Sequence, residues 1–312
     1  MKSIEIFSSN IPDSVFTIAI PTFCRSALLN EALLSALNQI TDLTYDILVI
    51  DNNPERYDET EMTMLQYCKH PLVSYYKNKS NLGMAGNWNQ LFLLSKGTWV
   101  CMLHDDDLLF PNYIDVLYNR IQNLHEPHII FPTYRVSQSR KLDINTQSNN
   151  DMKAINVKLK SFISGNIIGP PVGMLVRKDF FRISTKFDSS SYPSIDWDFY
   201  IEASKIGNLY KIPEELCLYY IGENESLKKE TIIGFYKNTR TISKKLSEYL
   251  AFPYNIINSL CYRNLVMFTI KWTSTISNKQ VILEALKDIE FKPNRLLDMI
   301  SSYFYKIISR FL

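Results

Sequence analysis

The stretch YDILVIDNNPERYDETEMTMLQYCKHPLVSYYK, residues 45–77, holds two apolar runs of strand length around a helical pattern. The first run, 45–51, is rich in β-branched residues and ends on an aspartate; the second, 72–77, has the same character. Between them, the pattern over 58–70 begins at Asp58, whose side-chain oxygens suit a helix N-cap. Strand, helix and strand in so short a span predict parallel strands joined by a right-handed crossover.

The alternation continues on both sides. VFTIAIP (15–21) and TWVCMLH (98–104) read as strands; 26–39 and 84–97 read as helices that open near Ser26 and Asn81, the second ending at Gly97. The first third is therefore predicted to be an open α/β sheet of Rossmann-like type, in which ligands bind beyond the carboxyl ends of the strands. Polar signals fall at those ends: Pro21-Thr22 with Arg25, Asp51-Asn52-Asn53, and His104 through Asp107. Farther along, 137–155 is polar without a period and reads as a loop, 170–178 as a strand, 195–207 as a helix and 215–221 as a strand. Beyond Glu225 the pattern is almost wholly helical, which predicts two regions, 1–225 and 226–312.

Composition narrows the classes. With 46% hydrophobic residues the chain can bury a core. Its five cysteines have no metal-type spacing, and the odd count argues for a reducing compartment rather than a disulfide framework. The N-terminus has no apolar core of a secretory signal, and no run of about 18 uncharged apolar residues predicts a membrane span. The net charge of +2 is divided unevenly: 226–312 carries 14 Lys+Arg against 6 Asp+Glu, and 1–225 carries 20 against 26. An acidic region suits cations and a basic one suits anions, although a basic helical region also reads as a solvated face.

CMLHDDDLLFP, 101–111, then stands out, because three adjacent carboxylates repel unless a positive partner lies among them. Mg²⁺ and Mn²⁺ take oxygen ligands, one or two carboxylates with phosphate oxygens completing the shell. Asp107 alternatively reads as the cap of a helix beginning near Pro111.

Taken in order, TIAIPTFCR, ILVIDNNP, NLGMAGNWN and CMLHDDDLLFP make residues 15–225 resemble the family 2 glycosyltransferases of GT-A fold. The resemblance implies an inverting enzyme using a nucleotide-diphosphate sugar, with a mixed, mostly parallel sheet. By the same resemblance Pro21, Thr22 and Arg25 border the nucleotide, with Cys24 where asparagine is commoner. Asp51 meets the N–H edge of the base, which suits an acceptor-only carboxylate. Asn81, Gly83 and Asn87 line the nucleotide cleft, although Gly83 and Gly86 equally fit a helix-entry turn. Asp106 is implied as the metal ligand, with Asp105 beside it on the ribose or the metal shell. His104 stands at the first acidic position of the motif and reads as a packed neutral imidazole.

SIDWDFYIEAS, 194–204, is similar to the family's second acidic motif, which makes Asp196 the base that takes the acceptor's proton. Ile195 replaces the usual glutamate, and Asp198 is the reserve; read from the residues alone, Asp196 also fits an N-cap. Gly169 and Val172 resemble positions bordering the donor sugar, or form a tight turn. After LYYI the family's histidine is missing, and Glu223 and Asn224 stand there instead.

In the last segment, 296–312, Leu296, Ile300, Tyr303, Phe304, Ile307, Ile308 and Phe311 fall at helical spacing, largely opposite Asp298, Ser301, Lys306 and Arg310. This helix either lies on an anionic membrane surface or packs on protein, its own chain or another copy. The resulting expectation is a cytoplasmic Mg²⁺- or Mn²⁺-dependent glycosyltransferase, peripheral at the inner face of the membrane. It moves a sugar from a UDP- or dTDP-sugar to a glycan or lipid-linked saccharide of a surface polysaccharide, and no nucleic acid is involved. The rival expectations are a nucleotidyltransferase or phosphohydrolase using the same carboxylates, and a sugar-binding subunit without catalysis.

Overall fold

All seven residues of β2 (Phe16–Thr22) and all seven of β3 (Tyr45–Asp51) are buried, as expected of strands covered on both faces. They pair in parallel, and the order continues through β4 (Val73–Asn78) on one side and β5 (Trp99–Met102) on the other. Helices α1 (Ser26–Leu37), α2 (Glu59–Leu65) and α3 (Gly83–Leu94) make the crossovers. Leu29, Ala32, Leu33 and Ala36 of α1 are buried in the cluster that holds Phe16, Ile18 and Ile20. The computed structural model describes residues 2–141, 153–222, 228–273, 279–288, 292 and 294–308.

Five further strands turn this parallel core into a mixed sheet: β1 (Ser3–Phe7), β6 (Leu108–Leu109), β7 (Ile129–Ser137), β9 (Met174–Arg177) and β10 (Leu209–Tyr220). The order is β1-β4-β3-β2-β5-β9-β7-β10-β6, with β8 (Ile155–Val157) also pairing β10. β1 meets β4 antiparallel, and β9 meets β5 and β7 antiparallel, whereas β7 and β10 run parallel. Helices α4 (Tyr113–Asn123) and α5 (Lys178–Ile183) complete this part.

Several boundaries differ from expectation for local reasons. Asp58 does cap α2, accepting from the Glu61 amide at 2.8 Å, but the helix gives way to turns after Leu65. α3 ends at Leu94, and Gly97 has a different task. A Cβ there would lie 2.5 Å from the Thr17 amide nitrogen, so glycine lets this turn pack on β2. Ser137 closes β7 and Ile155 opens β8, so the loop expected over 137–155 is narrower; 142–152 lie outside the described residues.

The chain divides into two compact units. The sheet and α1–α5 belong to the first, Met1–Val157, Pro170–Ser189 and Ile206–Gly222. The second comprises Lys158–Gly169, Ser190–Lys205 and Glu223–Leu312, so the helical region beyond 226 shares its unit with two earlier segments. One of them carries α6 (Ile195–Ser204), which the long α7 (Lys229–Tyr249) grips through Lys245, 2.6 Å from both Asp198 and Glu202. Gly234 of α7 leaves room for Pro193, where a Cβ would lie 2.6 Å from the ring. α8 (Tyr254–Thr273), α9 (Lys279–Asp288) and α10 (Arg295–Ile308) follow, around a core of Ile232, Tyr236, Val266, Ile282 and Leu286. Among the described residues no helix is long and apolar enough to cross a membrane.

Candidate active site

The carboxyl ends of β2, β3 and β5 meet. Thr22 lies opposite Asp51, the Asn52 amide donates to the Thr22 carbonyl at 2.9 Å, and the Leu103 amide donates to the Ala19 carbonyl at 3.0 Å. This last bond carries the β5–β2 pairing past Met102 and delivers the acidic turn beside Thr22. Thr22 Oγ1 donates to Asp105 Oδ2 at 2.8 Å. The Arg25 Nη1 lies 3.4 Å from Asp105 Oδ1 and 3.1 Å from Asp106 Oδ2. Thr22, Arg25, Asp105 and Asp106, expected together, are thus in contact; Pro21 is buried in β2, one residue before Thr22.

The triplet divides its work. Asp107 is fully buried, and its Oδ1 accepts from the Tyr220 amide at 3.0 Å, tying the turn to β10. It does not cap a helix, because α4 starts at Tyr113 behind Asn112. Its Oδ2 lies 3.3 Å from His104 Nδ1, and His104 stacks on Trp88 with 5.4 Å between ring centres. Among the described residues His104 Nε2 is buried without a hydrogen-bond partner and Asp107 Oδ2 has none besides that imidazole, and an unpartnered buried nitrogen is costly unless something else occupies it. One ligand atom each from His104, Asp106 and Asp107 lies within 4.8 Å of the others. This donor set, two carboxylates and an imidazole, fits a divalent cation. Asp106 is common to the expected and the observed set. Asp105 spends its oxygens on Thr22 and Arg25, and His104 is closer to a ligand position than to the inert packing expected of it.

Charge on this turn is under tension. Burial pushes the Asp105 carboxyl up to about 6, helped by Asp106 and opposed by Arg25 and Thr22. Burial alone would lower the His104 imidazole, but its bond to Asp107 and the charges of Asp107, Asp106 and Asp105 raise it overall. A carboxylate whose folded value lies above its unfolded value costs stability once the pH exceeds both, and costs nothing below both. Asp105→Asn is therefore expected to raise unfolding stability above pH 6, by on the order of 2 kcal/mol. The gain should vanish toward pH 4, which urea titrations across that range would measure.

Asp51 is held in a buried ion-pair network. Its carboxylate is fully buried, with Oδ1 accepting from the Asn53 amide at 2.9 Å and Oδ2 from Tyr75 OH and Lys77 Nζ, both at 2.9 Å. Lys77, also fully buried, reaches Asp58 at 2.9 Å and Glu61 at 3.7 Å, and Glu61 pairs with Arg56. Burial depresses the Lys77 ammonium, but Asp58 and Asp51 outweigh it and hold the lysine charged. These bonds anchor the ends of β3 and β4 and leave Oδ1 with one further acceptor site. Removing one member of such a buried set strands the others. Lys77→Met should cost about 3 kcal/mol in equilibrium unfolding.

Asn81, exposed, and Asn87, buried, both join the support of α3. Asn52 Nδ2 donates to Asn81 Oδ1 at 2.8 Å, Asn78 Nδ2 to Asn52 Oδ1 and Asn87 Oδ1, both at 2.9 Å, and Leu82 N to Asn52 Oδ1 at 2.9 Å. This amide network fixes where α3 starts. Gly83 has φ +69°, which an L side chain adopts poorly, and open space where a Cβ would stand, so it serves the helix-entry turn and leaves its surroundings clear. Gly86 instead packs on Leu82, 2.6 Å from a would-be Cβ. In the first unit Val172 is buried, and Gly173 turns with φ +62° under Cys217 into β9, which supports the tight-turn reading of this stretch.

In the second unit, Asp196 is the second residue of α6, so it is no N-cap; Ser194 holds that position. Its Oδ2 accepts from Asn166 Nδ2 at 3.3 Å, and Asn166 also binds the Gly169 amide and carbonyl. The carboxylate is half-buried in the first turn of α6. Asp198, by contrast, is buried against Lys245. Glu223 and Asn224 lie outside the described residues.

The residues missed in the sequence are Lys77, Trp88 and Arg140. Arg140 lies within the polar stretch read as a loop, yet its Nη2 donates to the Leu28 carbonyl at 3.0 Å and the Asp105 carbonyl at 3.4 Å. No local spacing signals such long-range partners.

A central parallel sheet, an antiparallel return strand beside β5 and an acidic turn off β5 together define a GT-A transferase. The family model for glycosyl transferase family 2 matches residues 17–182, more than half of the chain, and the chain belongs to that family. It is a glycosyltransferase, not a nucleotidyltransferase. An uncharacterized glycosyltransferase of Methanocaldococcus jannaschii is 23% identical over 269 residues, 81% of this chain and 89% of that protein. Among solved structures, TarS 1–349 of S. aureus in complex with UDP-GlcNAc has a TM-score of 0.65 at 16% identity, over 95% of this chain and 90% of the other. The mannosyltransferase PcManGT from Pyrobaculum calidifontis, in complex with GDP-Man and Mn²⁺, has a TM-score of 0.58 at 11% identity, over 98% and 90%.

Proposed function

We propose that the chain transfers a sugar, with inversion, from a nucleotide-diphosphate sugar to a hydroxyl of a glycan or lipid-linked saccharide. A UDP-sugar is favoured and a dTDP-sugar is the alternative donor. The observation that carries this reading is the acidic turn at the carboxyl edge of β5: ligand atoms of His104, Asp106 and Asp107 lie within 4.8 Å of one another, and His104 Nε2 is buried without a hydrogen-bond partner among the described residues. Asp106 would be the principal ligand of a Mn²⁺ or Mg²⁺ ion there, with His104 and Asp107 completing the protein's share, and the ion would supply charge neutralisation for the departing diphosphate. Asp105 acts beside them by fixing Thr22 and Arg25. Arg25, already charged and drawn to this edge, is suited to the donor's anionic groups.

Asp196 takes the proton of the acceptor hydroxyl. The Asn166 amide orients it. The acceptor belongs to bacterial surface-polysaccharide synthesis, an O-antigen or a capsule, assembled at the inner face of the cytoplasmic membrane. Turnover of UDP- and dTDP-sugars with saccharide acceptors, followed by NMR of the new anomeric centre, tests the reading. Inverted product from a UDP-sugar supports it, and a retained configuration would contradict it.

A further inference from the structure

α10 is mounted the wrong way round for an ordinary surface helix. Asp298 and Ser301 face its own unit. Asp298 Oδ1 accepts from Arg263 of α8, with Nε at 2.9 Å and Nη2 at 2.7 Å. Ser301 Oγ donates to the Leu260 carbonyl at 2.7 Å and accepts from the Asn264 amide at 2.8 Å, so this hydroxyl sits between a carbonyl and the amide four residues on in α8. The start is fixed as well, with Asn294 Oδ1 accepting from the Leu297 amide at 3.1 Å and Asp298 Oδ2 from the Asn294 amide at 3.0 Å.

A helix held by Asp298 and Ser301 turns the opposite face outward. That face carries Leu296, Met299, Ile300 and Tyr303, at the i, i+3, i+4, i+7 spacing of one side. These four are 66%, 61%, 41% and 64% exposed. Within 292–308 the exposed charges have one sign: Lys292, Arg295 and Lys306 are exposed, whereas Asp298, the single acidic residue of that segment, is neutralised by Arg263. The wider segment 226–312 carries 14 Lys+Arg against 6 Asp+Glu. A second copy of the chain would bring the same positive surface to this face and be repelled, whereas an anionic bilayer offers both apolar depth and opposite charge.

We infer that α10 is a docking element for the surface of an anionic phospholipid bilayer, lying flat with Leu296, Met299, Ile300 and Tyr303 inserted and Lys292, Arg295 and Lys306 among the headgroups. The inference stands apart from the proposed reaction. No described helix of this chain is long and apolar enough to span, so the contact is interfacial. The test is sedimentation of the full chain with phosphatidylcholine vesicles, with and without phosphatidylglycerol, at low and high salt. Binding should require phosphatidylglycerol and weaken with salt. The double substitution Leu296→Asp/Ile300→Asp should weaken it about tenfold with unchanged thermal unfolding. Lys292→Glu/Arg295→Glu should abolish the preference for the anionic lipid. Equal binding to neutral vesicles, full binding by the Leu296/Ile300 variant, or a vesicle-free dimer that this variant dissociates would each overturn the inference.

Discussion

Asp106→Asn lowers nucleoside-diphosphate release about 10³-fold, with the loss falling on kcat more than on the donor KM. The amide keeps the size of the side chain and removes its charge, so what is lost is the hold on a cation and hence the neutralisation of a leaving group that gains charge as the bond breaks. The position supports this attribution. Asp106 Oδ2 is 3.1 Å from Arg25, and its ligand atom lies within 4.8 Å of those of His104 and Asp107. Folding is expected to survive, because Asp106 repels Asp105 and contributes to holding that carboxyl up at about 6. A variant with intact unfolding stability and a collapsed kcat assigns the effect to chemistry; unchanged kinetics would remove Asp106 from the mechanism.

Asp196→Asn is expected to lower kcat for transfer to an acceptor about 10³-fold and to leave donor affinity unchanged. An amide cannot take the hydroxyl proton, yet it can still meet Asn166 and occupy the first turn of α6. Asp198→Asn gives the contrasting result. Asp198 is buried with Lys245 at 2.6 Å, so its substitution weakens the α6–α7 pairing and shows as lost stability before lost chemistry. Transfer kinetics paired with urea unfolding separate the two aspartates. A Asp196→Asn enzyme with full kcat would move the base elsewhere.

The strands and helices between residues 15 and 104 were readable because each apolar run matches one buried element and two of the three helices, α1 at Ser26 and α2 behind Asp58, begin at the expected polar residue, whereas α3 starts at Gly83, past Asn81. Asp58 illustrates this, capping α2 as its place before the helical pattern predicts. What spacing cannot convey is the partner of a charged residue. Asp51 follows a strand where a ligand carboxylate is expected, but Lys77, 26 residues away and one strand over, absorbs it into a buried network. The same limit hid Arg140, and it made Asp107 look like a helix cap when its partner is the amide of Tyr220 on β10. β7 was missed because its outer end, Tyr134–Ser137, is only half-buried or exposed and reads as loop. The acidic turn itself was plain as a motif. Its division of labour was not, because the unpartnered Nε2 of His104 and the Asp107 contacts to His104 and Tyr220 exist only once β5, α3 and β10 have closed around them.

The central claim is that the turn at residues 104–107 holds a divalent cation that makes nucleotide-sugar cleavage possible. Nucleoside-diphosphate release from a panel of UDP- and dTDP-sugars, by the metal-stripped chain with and without added Mn²⁺, tests it most directly. The account predicts release from at least one donor that depends on Mn²⁺ and is absent in Asp106→Asn. Equal release with and without the metal would contradict it.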